Sequence, residues 1–421
     1  MIQQRKIWVD WAKVLGMYAI IYGHCFPETM SNFIYAFNVP VFFIISGYLC
    51  KKEQDFSTCW NKTLHNLIIP YCILSFIKVA GAIFKHLDDG QWIWSTLAVL
   101  GGFHTLNDVA GCSNLWFVYS LIIIKLVYQT AGKKTNLLLC ILCIAGAWMY
   151  NQYLNIELRW AVADCMLAFP FFLLGRYISQ KEYLNKTCSQ LCHLSWWGKW
   201  MLVGFTLFLF LATYFIGEQN GQAKMYTNIY GYSLFWFGIA AITGSAAMIG
   251  ISFLMDKADC KFVRVISSGT IVILVFHREL LHPMLKWISQ QNFDAITSDA
   301  LMALSSAVVL AVFYPLILIV KRVFPIVLGR RLNFNTHMKI FKTIITACLL
   351  LTVFSCKNDK GNPVLAQKTD IFPDEQSQDK EYHILKFPTL DNQSVIIQLS
   401  HINISNPECC IIELINFNVL E

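Results

Sequence analysis

The sequence predicts an all-α protein that crosses a membrane about ten times. Of its 421 residues, 56% are hydrophobic and only 14% are charged, whereas soluble globular proteins carry about 25% charged residues. Most of the apolar residues fall into runs long enough to span about 30 Å of hydrocarbon as helices. The composition therefore excludes an ordinary soluble enzyme. The net charge of +7 does not indicate nucleic-acid binding, because the basic residues lie between the apolar runs and form no single patch.

Ten apolar segments are predicted to be membrane helices. They cover residues 7–26, 33–50, 64–84, 115–130, 136–150, 160–178, 199–217, 230–254, 266–286 and 300–322. A further apolar stretch, residues 91–104, is short and interrupted by glycines, so we expect it to be interfacial or re-entrant. The first apolar run follows Arg5 and Lys6 directly and continues too far for a cleavable signal peptide.

The distribution of lysine and arginine predicts a cytoplasmic N-terminus and a cytoplasmic end to the tenth span. In this orientation, eighteen basic residues near the span ends lie inside and five lie outside, as the positive-inside rule requires. An odd number of spans before residue 320 would destroy this bias.

Three ionisable residues in the first span indicate a functional face. Asp10, Lys13 and His24 share one side of an α-helix, because successive residues turn by about 100°. Asp10 is close enough in sequence to pair with Lys13, and His24 lies about 16 Å further outward. Charged groups inside a span usually mark a site or a pathway. The alternative is that Asp10 and Lys13 snorkel to the interface and that His24 only packs between helices.

The second span contains a proline and a serine–glycine pair. Pro40 frees a backbone carbonyl, and Ser46 with Gly47 permits close approach of another helix. By itself this pattern fits a kinked packing helix as well as a functional one.

The cysteines predict no metal site. Cys140 and Cys143 have the spacing of a redox or zinc half-site. No second pair lies near them, and a thiol in an apolar helix behaves as a small hydrophobic group. We therefore interpret them as structural.

Several motifs occur in an order that resembles the membrane acyltransferase-3 family. The series is Asp10-x-x-Lys13, Gly23-His24, Phe37-Asn38-Val39-Pro40-x-Phe42-Phe43-x-x-Ser46-Gly47-Tyr48, Pro70-Tyr71, Leu115-Trp116-Phe117, Pro170-Phe171-Phe172-x-x-Gly175, and Ser267-Ser268-Gly269 through His277. The resemblance covers about residues 5–322 and is greatest to the fucose 4-O-acetylase-like branch of sugar O-acetyltransferases. Two positions depart from that branch, because Asn38 replaces a histidine and Asn66 replaces a basic residue for which Lys62 and His65 can compensate.

The resemblance implies transfer of an acyl group, usually acetyl, from cytoplasmic acyl-CoA to a glycan hydroxyl. Its catalytic residues would be His24, Asp10 and His277; its acyl-CoA-binding residues Lys13, Lys62, His65 and Ser46; and its acceptor-binding residues Asn38, Trp116 and Arg159. His24 would act as a general base toward the sugar hydroxyl or as a transient acyl carrier, since an imidazole has an ordinary pKa near 6.5. Arg159 either binds the acceptor or, as we favour, pairs with Asp164 at the interface.

The expected partners are acyl-CoA as donor substrate, a glycan acceptor and the lipid bilayer, with no permanently bound cofactor. The expected location is the inner (cytoplasmic) membrane of a bacterium. Two other hypotheses remain open: a transporter of glycan or acylated product that uses the same polar pore, and a catalytically silent relative. A glycerolipid-type acyltransferase is disfavoured, because no His-x4-Asp pattern occurs in a suitable loop.

The C-terminal segment, residues 338–421, falls outside the family pattern. A basic start at Met338, an apolar stretch and a lipobox-like ending at Cys356 resemble the beginning of a bacterial lipoprotein. The predicted domains are residues 1–332, a lipoprotein-signal-like segment 333–356 and a small extracytoplasmic tail 357–421. We favour a fusion of two neighbouring genes over an eleventh span with an outer domain. The strand-like stretches Ser394–Leu399 and Cys410–Val419 alternate only weakly, and so small a core is marginal unaided.

Overall fold

The computed structural model describes a helical membrane region and, separately, four strands of the tail. The described residues are 5–85, 96–97, 99–100, 113–153, 161–181, 196–291 and 293–329, with the backbone of the strands Phe372–Pro373, Tyr382–Pro388, Ser394–Ser400 and Phe417–Val419. The chain divides into two units, Met1–Leu349 and Leu350–Glu421. The predicted domain borders at residues 332 and 356 lie outside the described residues and stay predictions.

The helices of the first unit follow the predicted apolar segments closely. Those with described bounds are α1 (Ile7–Gly23), α2 (Ser31–Phe37), α3 (Pro40–Leu49), α4 (Phe56–Thr63), α5 (Ile69–Lys85), α6 (Trp116–Thr130), α7 (Lys133–Tyr153), α8 (Val162–Gln180), α9 (Trp196–Asn220), α10 (Leu234–Leu254), α11 (Lys261–Ser268), α12 (Thr270–Ser289) and α13 (Ala295–Val323). A π-helical turn, Leu64–Ile68, joins α4 to α5, and a short hairpin pairs β1 (Ala223–Lys224) with β2 (Ile229–Tyr230).

Length and composition identify the first unit as a multi-pass membrane region. Among the described residues, six helical segments are long and apolar enough to cross a bilayer, and a seventh qualifies if α11 and α12 form one span. The six are Ser31–Leu49, Phe56–Gly81, Val162–Gln180, Trp196–Asn220, Leu234–Leu254 and Ala295–Val323. The all-α membrane fold is therefore confirmed, whereas ten crossings and a cytoplasmic N-terminus stay predictions. Most of the apolar stretch 91–104 lies outside the described residues.

α1 packs antiparallel against α2 and α3. The ammonium of Lys6 donates to the Tyr48 hydroxyl at 2.7 Å, so the start of α1 meets the end of α3. Further along, Gly16 lies under the Phe42 ring, where an added Cβ would come within 2.8 Å of the ring. Because α-helices rise 1.5 Å per residue, this register places Ser46 at the level of Lys13.

α3 and α8 approach each other at two glycines from the sequence motifs. A Cβ on Gly47 would overlap the carbonyl oxygen of Phe172, and a Cβ on Gly175 would overlap that of Ile44. Only glycine permits this backbone contact, which agrees with the close approach expected at Ser46 and Gly47.

The predicted ninth span, 266–286, is not one straight helix. α11 ends at Ser268, α12 begins at Thr270, and their axes differ by 88°. Gly269 sits at the break against Ile317 of α13, where an added Cβ would approach the side chain to 2.5 Å. The sequence suggested a continuous helix because its apolar pattern does not reveal a turn made by a single glycine.

The described strands of the second unit form an antiparallel sheet. β3 (Phe372–Pro373), β4 (Tyr382–Pro388), β5 (Ser394–Ser400) and β6 (Phe417–Val419) pair in sequence order. β5 matches the predicted stretch Ser394–Leu399, and β6 lies within the predicted Cys410–Val419, whose residues 410–416 lie outside the described ones. β4 was not predicted. The lipobox-like segment lies outside the described residues.

Candidate functional site

Two histidines meet inside the helical region. His24 is the residue that caps the C-terminus of α1, and His277 lies fully buried on α12. Their ring centroids are 4.8 Å apart and the ring planes are inclined by 47°. The contact joins two residues that are 253 positions apart in sequence. The structure therefore brings together two of the three residues expected to be catalytic.

The hydrogen bonds of His277 define its tautomer. Nδ1 lies 2.9 Å from the carbonyl oxygen of Ile273 and 3.0 Å from that of Leu274. Carbonyl oxygens only accept, so Nδ1 carries the hydrogen and donates it. Nε2 then keeps its lone pair, as the second nitrogen of a neutral imidazole must. This buried Nε2 has no hydrogen-bond partner among the described residues.

Asn38 lies beside the histidine pair. It follows α2, is buried, and has a side-chain oxygen without a partner among the described residues. Its side-chain nitrogen packs on Gly23, where an added Cβ would come within 2.9 Å. A buried polar atom without a hydrogen bond costs about 1–3 kcal/mol. Several buried side-chain atoms lack such a bond among the described residues, and the two near His24 are candidates for contact with a polar ligand or with water.

Asp10 belongs to a different part of the molecule. Its carboxylate accepts a hydrogen bond from Arg5 Nε at 2.5 Å and another from Ser267 Oγ at 2.5 Å. The expected pairing with Lys13 is therefore replaced by pairing with Arg5, because the chain before α1 folds back onto the first turn. Asp10 is about 21 Å from His24 along the helix, so it does not contact the histidine pair.

The four expected acyl-CoA ligands do not form one cluster. Lys13 and Ser46 are half-buried on α1 and α3, and no side-chain hydrogen bond joins either of them to another described residue. Lys62 is exposed and pairs with Glu53 at 2.5 Å, while His65 is exposed in the π-helical turn. Within the described ranges, no hydrogen bond or ion pair joins Lys62 or His65 to Lys13.

The other two residues expected to bind the acceptor are Trp116 and Arg159. Trp116 is half-buried at the start of α6 and packs near the ring of Phe43, with a centroid separation of 6.3 Å. Arg159 lies outside the described residues, so its proposed pairing with Asp164 stays a prediction. Asp164 is buried and accepts a hydrogen bond from Asn228 Nδ2 at 3.5 Å.

Sequence reasoning missed a charged pair next to His277. Lys78 of α5 forms an ion pair with Glu279 of α12, and its ammonium lies 5.2 Å from the ring centroid of Phe276. The signal was present, because Lys78 is a charged residue in the middle of an apolar segment.

A second missed residue anchors the loop that follows His24. The carboxylate of Asp299 accepts hydrogen bonds from the backbone nitrogens of Glu28 at 2.9 Å and Thr29 at 2.8 Å, and from Thr29 Oγ1 at 2.5 Å. Asp299 lies in the second turn of α13 and is 5% exposed. Nothing in the local sequence pairs it with this distant loop.

The apolar helices and the buried histidine pair define a multi-pass membrane protein with a polar site between its helices. Residues 6–320 match the family model described as an acyltransferase domain, that of acyltransferase-3. The chain therefore belongs to the acyltransferase-3 family and is a membrane acyltransferase. Neither the curated proteins nor the solved structures contain a match to the chain.

Proposed function

We propose that the chain transfers an acetyl group from cytoplasmic acetyl-CoA to a hydroxyl of a cell-surface glycan or its lipid-linked precursor. It would do so in a bacterial inner membrane, with ten spans and both ends of the ten-span region inside. The observation that carries this proposal is the contact between His24 and His277, where buried polar atoms lack protein partners.

His24 acts as the general base in this proposal. The hydroxyl oxygen attacks the thioester carbonyl while an imidazole nitrogen of His24 takes the hydroxyl proton. The new C–O bond forms, the C–S bond breaks, and the CoA sulfur leaves with the proton returned by the imidazolium. The ring of His24 lies against that of His277, so one imidazole nitrogen can bond to His277 and the other is left for the substrate hydroxyl.

His277 and Asn38 complete the reaction site. The Nε2 lone pair of His277 can accept a hydrogen bond from an N–H of His24, which leaves the other His24 nitrogen unprotonated and ready to act as base. Asn38 offers a carbonyl oxygen and an amide group to the acceptor hydroxyls. Trp116 and Arg159 would extend the acceptor site, Trp116 as an apolar wall for a sugar face.

The acyl-CoA donor would enter from the opposite end of α1. Lys13 offers a positive charge for a CoA phosphate, and Ser46 offers a hydroxyl at the same level. Lys13 and His24 are about 16 Å apart along the helix, a distance roughly matched by a pantetheine arm. Lys62 and His65 would contact the nucleotide end of CoA outside the helical bundle. Asp10 acts here only by fixing the first turn of α1.

The test measures label transfer from radiolabelled acetyl-CoA to glycan in membranes that contain the full chain. We expect His24→Ala to lower the rate by about 10²–10⁴-fold without changing the amount of protein in the membrane. His282→Ala is the matched control, because His282 is an exposed histidine on the same helix as His277 and should leave the rate unchanged.

Two outcomes would redirect the proposal. Glycan transport by the wild type that persists in His24→Ala, without label transfer, would contradict an enzyme and support a transporter. Label retained on the wild-type protein but not on His24→Ala, in the absence of acceptor, would replace the general base by an acyl-imidazole carrier.

A further inference from the structure

The imidazole of His277 is tied to its own helix. Both hydrogen bonds of Nδ1 go to carbonyl oxygens one turn earlier on α12, at Ile273 and Leu274. The ring therefore turns with the helix. Whether Nε2 faces His24 depends on the rotation of α12 about its axis.

The preceding helix is expected to restrain that rotation only weakly. α12 begins after the 88° break at Gly269, and a single-glycine connection transmits little torsional restraint because glycine has wide backbone freedom. Contacts from neighbouring helices must therefore fix how α12 is turned.

Lys78 makes two such contacts beside His277. Its ammonium forms an ion pair with Glu279 and lies 5.2 Å from the ring centroid of Phe276. Phe276 and Glu279 are the residues one position before and two positions after His277. One side chain of α5 thus contacts the turn of α12 that carries the histidine on both sides of it in sequence.

The energetics of a charged pair at this position favour a specific role. The Lys78 side chain is only 9% exposed, and a charge within a membrane span costs several kcal/mol unless it is paired. A leucine at position 78 would pack without that cost. The charge of Lys78 is therefore a candidate for a functional role. It lies beside the turn of α12 that carries His277.

We propose that Lys78 and Glu279 are positioning residues for acyl transfer. Their ion pair, with the Lys78–Phe276 contact, fixes the rotation of α12 so that His277 Nε2 faces His24. The inference rests on the proposed function, and it goes beyond it by assigning a role in positioning to a pair outside the reacting atoms.

The kinetic test compares single and charge-swapped variants. We expect Lys78→Met and Glu279→Gln each to lower kcat by about 10- to 100-fold, since a displacement near 1 Å of a catalytic group has an effect of this order. KM for acetyl-CoA should stay within about threefold, because the donor site lies at the other end of α1. The double variant Lys78→Glu/Glu279→Lys should recover most of kcat. Asp259→Asn, which breaks the partly exposed pair with Arg264, is the control and should leave kcat unchanged.

A second measurement does not depend on activity. His24→Cys/His277→Cys is treated with a short bifunctional thiol reagent in membranes, and the linked peptides are quantified by mass spectrometry. We expect efficient linkage, and a loss of about fivefold or more when Lys78→Met is added.

The outcomes separate this inference from the proposed function. Unchanged linkage together with unchanged kcat in the single variants overturns the positioning role. A charge-swapped variant as slow as the slower single variant also overturns it, because Lys78 would then act on substrate directly. If the wild type shows no acetyl transfer, the proposed function fails, and the linkage experiment alone decides whether the pair positions α12.

Discussion

Two buried polar clusters of the membrane region, one at the start of α1 and one at its end, differ in how well their hydrogen bonds are satisfied. At the start, both carboxylate oxygens of Asp10 accept a hydrogen bond, one from Arg5 and one from Ser267. At the end, the pair of His24 and His277 leaves Nε2 without a partner among the described residues. The first cluster is complete without a ligand, and the second is not.

This difference indicates that the two ends of α1 have different roles, one in stability and one in function. A satisfied buried network contributes to stability and specifies the packing, whereas an unsatisfied buried atom lowers stability and persists where a ligand uses it. Asp10 and His24 share a helix face, and the family resemblance implied a catalytic role for both. The hydrogen bonds of Asp10 give it a role in the packing of α1, while the catalytic roles of both residues stay predictions.

The largest expected effect comes from removing the unsatisfied atom. In His277→Leu, we expect acyl transfer to fall by about 10²–10⁴-fold. The free energy of unfolding should stay the same or rise by about 1 kcal/mol, because an unpaired buried nitrogen is replaced by an apolar group of similar size. Activity in membranes and thermal unfolding in detergent measure the two effects.

The control is His282→Leu, which should change neither quantity because His282 is exposed. A loss of stability above about 2 kcal/mol in His277→Leu would show that Nε2 contributes to packing, and the contrast between the two clusters would disappear.

The opposite behaviour is expected at the satisfied cluster. Asp10→Ala removes the acceptor of two hydrogen bonds and leaves the hydroxyl of Ser267 buried, so unfolding should become easier by about 1–3 kcal/mol. Arg5 is half-exposed and contributes little of this amount, because water replaces its partner.

Asp10→Asn keeps one accepting oxygen and should lose only part of that stability. The measurement is the temperature of unfolding, followed by kcat on the folded fraction. If Asp10→Asn lost as much kcat as His24→Ala while its stability stayed normal, Asp10 would be a catalytic residue.

The sequence predicted the membrane fold and half of the site. Apolar runs indicate helices directly because each must cover the hydrocarbon thickness. Most predicted segments agree with the helices within about five residues, and the exceptions are the spans that break into two helices, such as 266–286. His24 was recognisable as a polar group at the end of such a run. Its proximity to His277 was not, because it depends on how α1 and α12 pack. The pairing of Lys78 with Glu279 could not be predicted for the same reason, because it depends on how α5 and α12 pack. The sequence showed only that Lys78 is a charged residue in an apolar segment.

A smaller effect is expected at the loop that follows His24. Asp299→Ala removes three hydrogen bonds to this loop and should lower the unfolding free energy by about 1–3 kcal/mol. It should lower kcat by about tenfold, since His24 lies only four residues before the anchored Glu28. Asp299→Asn should retain more of kcat than Asp299→Ala. Equal kcat in Asp299→Ala and the wild type would show that the loop does not position His24.

The smallest effect is expected at Asp294, an exposed carboxylate at the start of α13. Water can replace most of the hydrogen bonding that a lost side chain provided there. Asp294 caps α13 by accepting hydrogen bonds from Thr297 Oγ1 at 2.6 Å and from the Thr297 backbone nitrogen at 3.1 Å. The hydrogen bonds from Thr297, the side-chain one first, hold the pKa of Asp294 below its ordinary value. A carboxyl with a lowered pKa in the folded state stabilises the fold above its unfolded pKa, and this stabilisation is lost as the pH falls through the folded value.

Asp294→Asn should therefore be slightly less stable than the wild type at about pH 7, because asparagine caps a helix nearly as well but lacks the charge. The difference in unfolding temperature should shrink as the pH falls from about 7 to below the ordinary pKa of an aspartate, about 3.9, because the wild-type carboxyl then becomes protonated. Asp55→Asn is the matched case, because Asp55 caps α4 through Thr58 and its pKa is lowered for the same reason. A difference that widens at low pH in either variant would mean that the protonated carboxyl, and not the carboxylate, is the better cap.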